Sequence, residues 1–564
     1  MPSASTSSPK QSPREPALPL VLGTDGVRDS DARIPLVGSR WSTASRKNRS
    51  QEPPSPPRMY SQTWHLGMLR RELIIPQHMD WGEAKSFDGS VDWHESRVFG
   101  GIERMVKPEP PSQEHWDQLQ SWSTDYRYRN PTRPHVVAFV NSKSGGQVGG
   151  LLMEALQECI KRQQHEDTGA FSGQVCDLSS PDEPAATING LAPKDCHYGR
   201  PTRLLVCGGD GTVTWILTAL EQCKKIHNHL NQYPVAIVPL GTGNDLARSL
   251  GWGGYLTAVR DIVQVLKWVV EAKPVYMDQW RVVLRPHAAL SPMHKLRSCG
   301  SHPQAVTDAT TKVQLLGELQ VALGSIPERS ISENVGQSDE VFLGFWQNYL
   351  SMGLDAKVTN YVDQARSEDP CGQACFRRGC GKFCYGWQAV RHVWGGHCLT
   401  DSLTQFMVAP RGGNADDLTD LDPPLQSRRI NGRVGRVRQI MLVNINSYAA
   451  GLLNLHARLP RDQEAPSPSD GVMEVLALRN VAASLGVFSR VSKPATLAST
   501  PAVAFSLKHP GFMQMDGEPW DLPAGCDVLV EHHRRLTMLC APPEASHWGG
   551  HITPSFWTTV GEGA

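Results

Sequence analysis

The chain has 564 residues, 40% hydrophobic and 20% charged, with 56 Lys and Arg balancing 56 Asp and Glu. Neutralising nucleic-acid phosphates takes a basic excess, so zero net charge argues against nucleic acid as the partner. No apolar run reaches the roughly 18 residues of a membrane span. The thirteen cysteines, none before Cys159, fit a reducing compartment better than a disulfide framework.

Residues 1–58 are rich in Ser, Pro and Arg and lack the apolar core of a secretory signal, so they read as a disordered tail. Residues 59–132 form an extension of unassigned fold carrying Trp64, Trp81, Trp93, Trp116 and Trp122, and part of it is expected to pack against the rest. The pattern sharpens from 133. HVVAFV (135–140), RLLVC (203–207) and YPVAIVPL (233–240) are short apolar runs, each followed by a glycine-rich turn and a helical segment. That alternation predicts a three-layer α/β nucleotide-binding domain over 133–273, a parallel sheet with helices on both faces.

After 273 short strands dominate: 280–284, 438–445, 471–478, 502–507, 512–516 and 527–532. Several alternate with period two, which predicts a C-terminal β-sandwich-like domain over 274–545. Polar stretches near 288–338 and 409–436 read as surface insertions, and 546–564 as a tail.

Three turns share one design: Asn141-Ser142-Lys143-Ser144-Gly145-Gly146, Gly208-Gly209-Asp210-Gly211-Thr212 and Gly241-Thr242-Gly243-Asn244-Asp245. Glycines permit positive φ and let a ligand approach with no Cβ in the way. Their amides form an anion-binding nest at a helix N-terminus. Thr212 and either Asn244 or Asp245 are the expected helix caps. One such turn is a weak signal, since a turn plus a cap explains it; three at successive strand ends point to a polyphosphate. The chain has neither GxxxxGK[ST] nor a GxGxxG with Rossmann spacing, which disfavours P-loop and dinucleotide enzymes.

These turns, with PLGTGNDLARSLGWGG (239–254), NYLSMGLDA (348–356), NINSYAAG (444–451), DGVMEV (470–475) and QMDGEPW (514–520), resemble the diacylglycerol kinase catalytic family from about Pro134 to Cys540. The resemblance implies an ATP-dependent lipid kinase that converts 1,2-diacylglycerol at the membrane surface into phosphatidic acid. It implies Mg2+ as the metal, a cytoplasmic and peripherally membrane-associated location, and no specified protein partner. By resemblance, Asn141, Ser144, Gly145, Gly146, Gly208, Gly209, Gly211, Thr212, Gly241, Thr242, Gly243 and Asn244 contact the nucleotide. Asp516 or Asp210 is the general base, Glu518 and Asp516 lie at the metal, and Asp355 lies near the lipid head group.

Asp516 and Glu518 are two apart, and in extended chain both point to one side; without the resemblance, the Asp-Gly pair reads more simply as a hairpin turn. Lys143 is as readily a solvated lysine as a phosphate contact. Cys371, Cys375, Cys380 and Cys384 are more simply reduced thiols than a zinc site, because their spacing departs from CxxC. Lys382 and Arg391 read as a solvated helix face. A lipid kinase with a different acceptor and a catalytically inactive scaffold are the competing functions.

Overall fold

The computed structural model describes residues 106–548 except 143–147, 165–167, 181, 192–200, 242, 288–302, 325–339, 369–387, 389–390, 392–398, 422–428, 431–432, 435–436, 449–450, 452, 455–465, 479–493 and 523–524. Lys143, Ser144, Gly145, Gly146, Thr242, Lys382 and the four clustered cysteines therefore lie outside the described residues, as do both termini.

The first lobe is the parallel α/β unit that the alternation predicts. Strands β1 (His135–Val140), β2 (Ser172–Asp177), β3 (Thr202–Gly208) and β4 (Val235–Pro239) pair in parallel in the order β2-β1-β3-β4. The apolar residues of β1, β3 and β4 are buried almost throughout, as strands covered on both faces require. Helix α1 (Gln113–Arg129) and helix α2 (Gly149–Arg162) pack with each other's neighbour, α5 (Ile262–Glu271). Helix α3 (Asp210–Gln222) packs instead beside β3 and α4 (Asp245–Ser249).

Helix α1 belongs to the extension that the sequence left without a fold. Ser123 donates to Gln163 Oε1 at 2.7 Å and accepts from the Ala170 amide at 2.7 Å, all buried. Trp122 donates to Glu271 at 3.0 Å, and the Arg162 guanidinium lies 4.7 Å from the Trp116 ring centre.

The predicted strands at 280–284 and 527–532 are segments of much longer strands. β5 (Lys273–Pro286) runs antiparallel to β15 (Cys526–Cys540) along its whole length. One end of this ribbon joins the first lobe, where Val275, Met277, Leu536 and Met538 enter its core. The other end carries Trp280, Val282, Leu284, Val528 and Val530 into the core of the second lobe. The ladder is irregular between His532 and Arg534, where the ribbon passes from one core to the other.

In the second lobe β6 (Phe342–Trp346), β8 (Leu403–Val408) and β12 (Ala502–Leu507) extend this sheet antiparallel. A separate six-stranded antiparallel sheet has the order β11 (Ala495–Thr500), β10 (Met473–Leu478), β9 (Gln439–Val443), β7 (Tyr349–Gly353), β13 (Gly511–Met515), β14 (Glu518–Leu522). Leu350, Met352, Ile440 and Val475 of this sheet meet Trp280, Val282, Val503 and Val528 of the other in one core, which is the sandwich-like arrangement expected.

The stretch near 288–338 is not merely a polar surface insertion. It contains α6 (Ala309–Ala322), capped by Asp308, whose carboxylate accepts from the Thr311 amide at 2.7 Å. Leu315, Leu316 and Leu319 bury against Val283, Ala504 and Leu529. Polar residues at both ends conceal a helix with one apolar face.

Candidate active site

Strands β1, β3 and β4 are sheet neighbours, so their C-terminal turns converge at one edge. Asn141, just past β1, lies with its side-chain amide 3.4 Å from the Thr212 hydroxyl and so ties the first turn to the second. The second and third turns also come together through their main chain. A Cβ on Gly209 would come 3.1 Å from Gly241 Cα, and one on Gly241 only 2.5 Å from Gly209 Cα. Gly208 has no more room, since a Cβ there would come 2.6 Å from the Thr212 side chain. Close approach is thus what these glycines provide. None of Gly208, Gly209, Gly211, Gly241 and Gly243 is among the positive-φ residues, so of the two reasons expected, positive φ falls away for these five and the missing Cβ remains.

The expected caps are also revised. Gly209 is the N-cap of α3, and Thr212 lies inside the first turn, where its amide donates to the Gly209 carbonyl at 2.9 Å. Asn244 does cap α4, from a left-handed conformation at φ 53°. Its side chain accepts from the Gly241 amide (3.1 Å) and donates to the carbonyls of Gly241 (2.6 Å) and Gly254 (2.9 Å), closing the third turn on itself. The first free amides of α4 are taken by Asp210, which accepts from Asp245 N at 2.8 Å and Leu246 N at 3.2 Å. Burial, with the nearby Asp245 carboxylate adding to it, pushes the Asp210 carboxyl well above its ordinary range.

Opposite these turns stands the β13–β14 hairpin. Met515 and Glu518 form its closing pair, and Asp516 and Gly517 are the two turn residues, at φ 49° and 88°. Asp516 is therefore not in extended chain, and the two-apart argument for aligning it with Glu518 does not hold. Both acids nevertheless reach α3. Asp516 accepts from the Thr214 hydroxyl at 2.8 Å, and a Cβ on Gly211 would lie 2.3 Å from Glu518 Oε1. Gly211 and Thr214 are one turn apart on that helix, so both contacts fall on one face.

The Asp516 carboxylate is buried and crowded with donors. Besides Thr214, it accepts from Gln347 N (3.0 Å), Asn348 N (2.8 Å) and Tyr349 N (3.1 Å), the turn between β6 and β7. Burial pushes its pKa up to about 6, and these donors oppose the rise. Asp245, also buried, accepts from Ser447 (2.6 Å), the Gly451 amide (2.9 Å) and the Tyr349 hydroxyl (3.2 Å) of the second lobe. The Arg248 side chain passes between Gly254 and Gly451, both of which would collide with it if they carried a Cβ.

Asp355, in the first turn of α7 (Leu354–Glu368), accepts from Ser351 (2.5 Å), the Ala356 amide (2.7 Å), Gln514 (3.4 Å) and the Tyr448 hydroxyl. Burial raises its pKa. Gln514 in turn accepts from Gly517 N at 2.8 Å, which links Asp355 to the acid hairpin.

Sequence reasoning passed over Thr214, Gln347, Tyr349 and Ser447 as site residues. The last three lie in the motifs NYLSMGLDA and NINSYAAG or beside them, so the signal was there without a role. Nothing marked Thr214, one polar residue on a mixed helix face.

Residues 135–275 match the family model of the diacylglycerol kinase catalytic domain, and residues 345–519 that of the diacylglycerol kinase accessory domain. Among curated relatives, a protein named diacylglycerol kinase 1 from Oryza sativa subsp. japonica is 27% identical over 449 residues, covering 72% of this chain and 80% of its own. Diacylglycerol kinase 5 from Arabidopsis thaliana is 28% identical over 443 residues, covering 72% and 78%. Among solved structures, a diacylglycerol kinase from Bacillus anthracis aligns with a TM-score of 0.38 at 13% identity, over 74% of this chain and 99% of its own.

Proposed function

The chain belongs to the diacylglycerol kinase family, and we infer that its cleft transfers the terminal phosphate of ATP to the free hydroxyl of 1,2-diacylglycerol, giving phosphatidic acid and ADP. The observation that carries this reading is the meeting of main-chain glycine turns with the Asp516–Glu518 hairpin across one face of α3. Phosphoryl transfer asks little covalent chemistry of a protein; it needs phosphate held, charge met and the attacking hydroxyl positioned.

The proposed division of labour follows the geometry. The 208–212 and 241–244 turns, with Asn141, cradle the phosphates, and Arg248 supplies positive charge beside them. Asp516, at the turn of the hairpin that meets α3, is the base that takes the acceptor proton. Asp210 holds α4 in place and stands at the nucleotide.

The residues present fit Mg2+. Asp210, Asp245, Asp516 and Glu518 bring carboxylates together at α3 and α4. No set of three ligating side chains occurs among the described residues. Mg2+ is commonly held by one or two carboxylates together with substrate phosphates, so two are enough. Glu518 would hold it, with Asp516 beside it, and when bound it would neutralise charge on the transferring phosphate.

Among the described residues no helix is long and apolar enough to cross a membrane. Drawing a lipid acceptor from a bilayer then calls for peripheral docking.

The test is transfer from γ-labelled ATP to a panel of acceptors in mixed micelles. Dioleoylglycerol is expected to be labelled far faster than monooleoylglycerol or sphingosine. A preference for either of those would replace the acceptor, and no transfer to any lipid would remove the reading.

A further inference from the structure

We propose that Thr214 is a positioning residue for the transfer, whose hydroxyl moves from Asp516 to Gln347 when the acceptor hydroxyl arrives. The inference rests on the reading of Asp516 as the base.

The argument begins with lone pairs. An ionised carboxylate offers about four acceptor positions. In Asp516 all are taken: Oδ1 accepts from Asn348 N and Tyr349 N, and Oδ2 from Gln347 N and Thr214 Oγ1. A base in that condition cannot receive a hydrogen bond from a substrate hydroxyl, which must come within roughly 2.6–3.2 Å of a free position. One donor has to yield.

Three of the four are amides of a tight turn. That turn is further fixed by Asn444, which donates to the Gln347 carbonyl at 2.8 Å, and by Asp516 N, which donates to the Tyr349 carbonyl at 3.0 Å. The fourth is a hydroxyl, whose proton rotates about one bond. Thr214 already has a second acceptor in reach, Gln347 Oε1 at 3.2 Å. Thr214, Gln347 and Asp516 are all buried, so water does not compete for the proton. The Gln347 amide nitrogen has no partner, so no donor bond of that side chain opposes its small adjustment toward Thr214. The exchange breaks one neutral-to-charged hydrogen bond and makes one neutral bond. The acceptor's own bond to Oδ2 then replaces the one lost.

In the step itself the acceptor oxygen bonds to the γ-phosphorus while its proton passes to Asp516 Oδ2. The phosphorus–oxygen bond to the β-phosphate breaks, and its electron pair leaves with ADP. Thr214 gives up no proton. It directs the Asp516 carboxylate in the resting site and then clears it.

The experiment compares Thr214→Val, Thr214→Ser and Gln347→Met with the wild type. It reads kcat with dioleoylglycerol in mixed micelles, KM for ATP, and the melting temperature. Thr214→Val is expected to lower kcat by about tenfold, because the Asp516 carboxylate loses the side chain that directs it before the acceptor arrives, with KM for ATP little changed. Thr214→Ser should restore kcat. Gln347→Met should lower kcat by a comparable factor although the Thr214–Asp516 bond is intact, an effect a static brace would not give.

Wild-type kcat in folded Gln347→Met overturns the exchange, and wild-type kcat in folded Thr214→Val overturns the role altogether. If Thr214→Val does not fold, the Ser and Met variants carry the decision. A wild-type chain that labels no lipid would remove the underlying reading, and this inference with it.

Discussion

The first lobe makes its part of the cleft from short runs at successive strand ends, such as Gly208–Thr212 from the end of β3 into α3. The second lobe makes its part from residues far apart in the chain; Asn348 and Asp516, joined at 2.8 Å, are 168 positions apart. The first contribution is main chain, and its requirement is negative: no Cβ where two turns touch. The second is side chains held by hydrogen bonds, so it tolerates changes of shape better than changes of donor and acceptor. The two halves should therefore fail differently when altered.

The largest effect is expected at Gly209. A carboxylate introduced as Gly209→Asp would enter phosphate space and crowd the Gly241 main chain, 3.1 Å from the new Cβ. Lipid phosphorylation should fall below detection while circular dichroism still shows a folded protein. Next comes Asp516→Asn, expected to lose ~10²–10⁴-fold in kcat, the usual weight of a general base. Because the NH2 of the new amide would face N–H and O–H donors from which the carboxylate accepted, the same change should cost about 2–4 kcal/mol in urea unfolding. A loss of stability without loss of kcat in the folded fraction would make Asp516 a brace.

Gly211→Ala joins the two halves. Its methyl would displace the Glu518 carboxylate, the free end of a flexible side chain, so the fold should survive. A misplaced group at the reacting centre can cost about 10²-fold, and steady-state assays at varied Mg2+ should show a fall of that order. Unchanged turnover would detach Glu518 from the chemistry. The smallest effect is expected outside the cleft. Ser123→Ala breaks the buried contact of α1 with Gln163 and Ala170 and should cost about 1–2 kcal/mol, read by thermal melting, with kcat unaltered.

The same contrast explains what the sequence made legible. Strand, glycine turn and helix follow one another in the first lobe, so local pattern located β1, β3, β4 and their turns. The absence of a Cβ at the glycines was legible, but that it serves the approach of one turn to another was not, because Gly209 meeting Gly241 is a tertiary contact. In the second lobe period two marked the strands but not their pairing. The β5–β15 ribbon was read as two short strands because its charged middle, His532 to Arg535, interrupts the apolar pattern where it passes between cores. Helix α6 was hidden by the polar residues that flank it. Thr214 was invisible because its importance lies wholly in what the fold places against it.

The measurement that bears most directly on the two-halves account is nucleotide binding read beside transfer. Affinity for a fluorescent ATP analogue and labelled-phosphate transfer to dioleoylglycerol would be measured in wild type, Gly209→Asp and Asp516→Asn. The expected result is a split: Asp516→Asn binds nucleotide as wild type does and fails to transfer, while Gly209→Asp loses both. Normal nucleotide affinity with normal transfer in Gly209→Asp, or lost nucleotide affinity in folded Asp516→Asn, would contradict it.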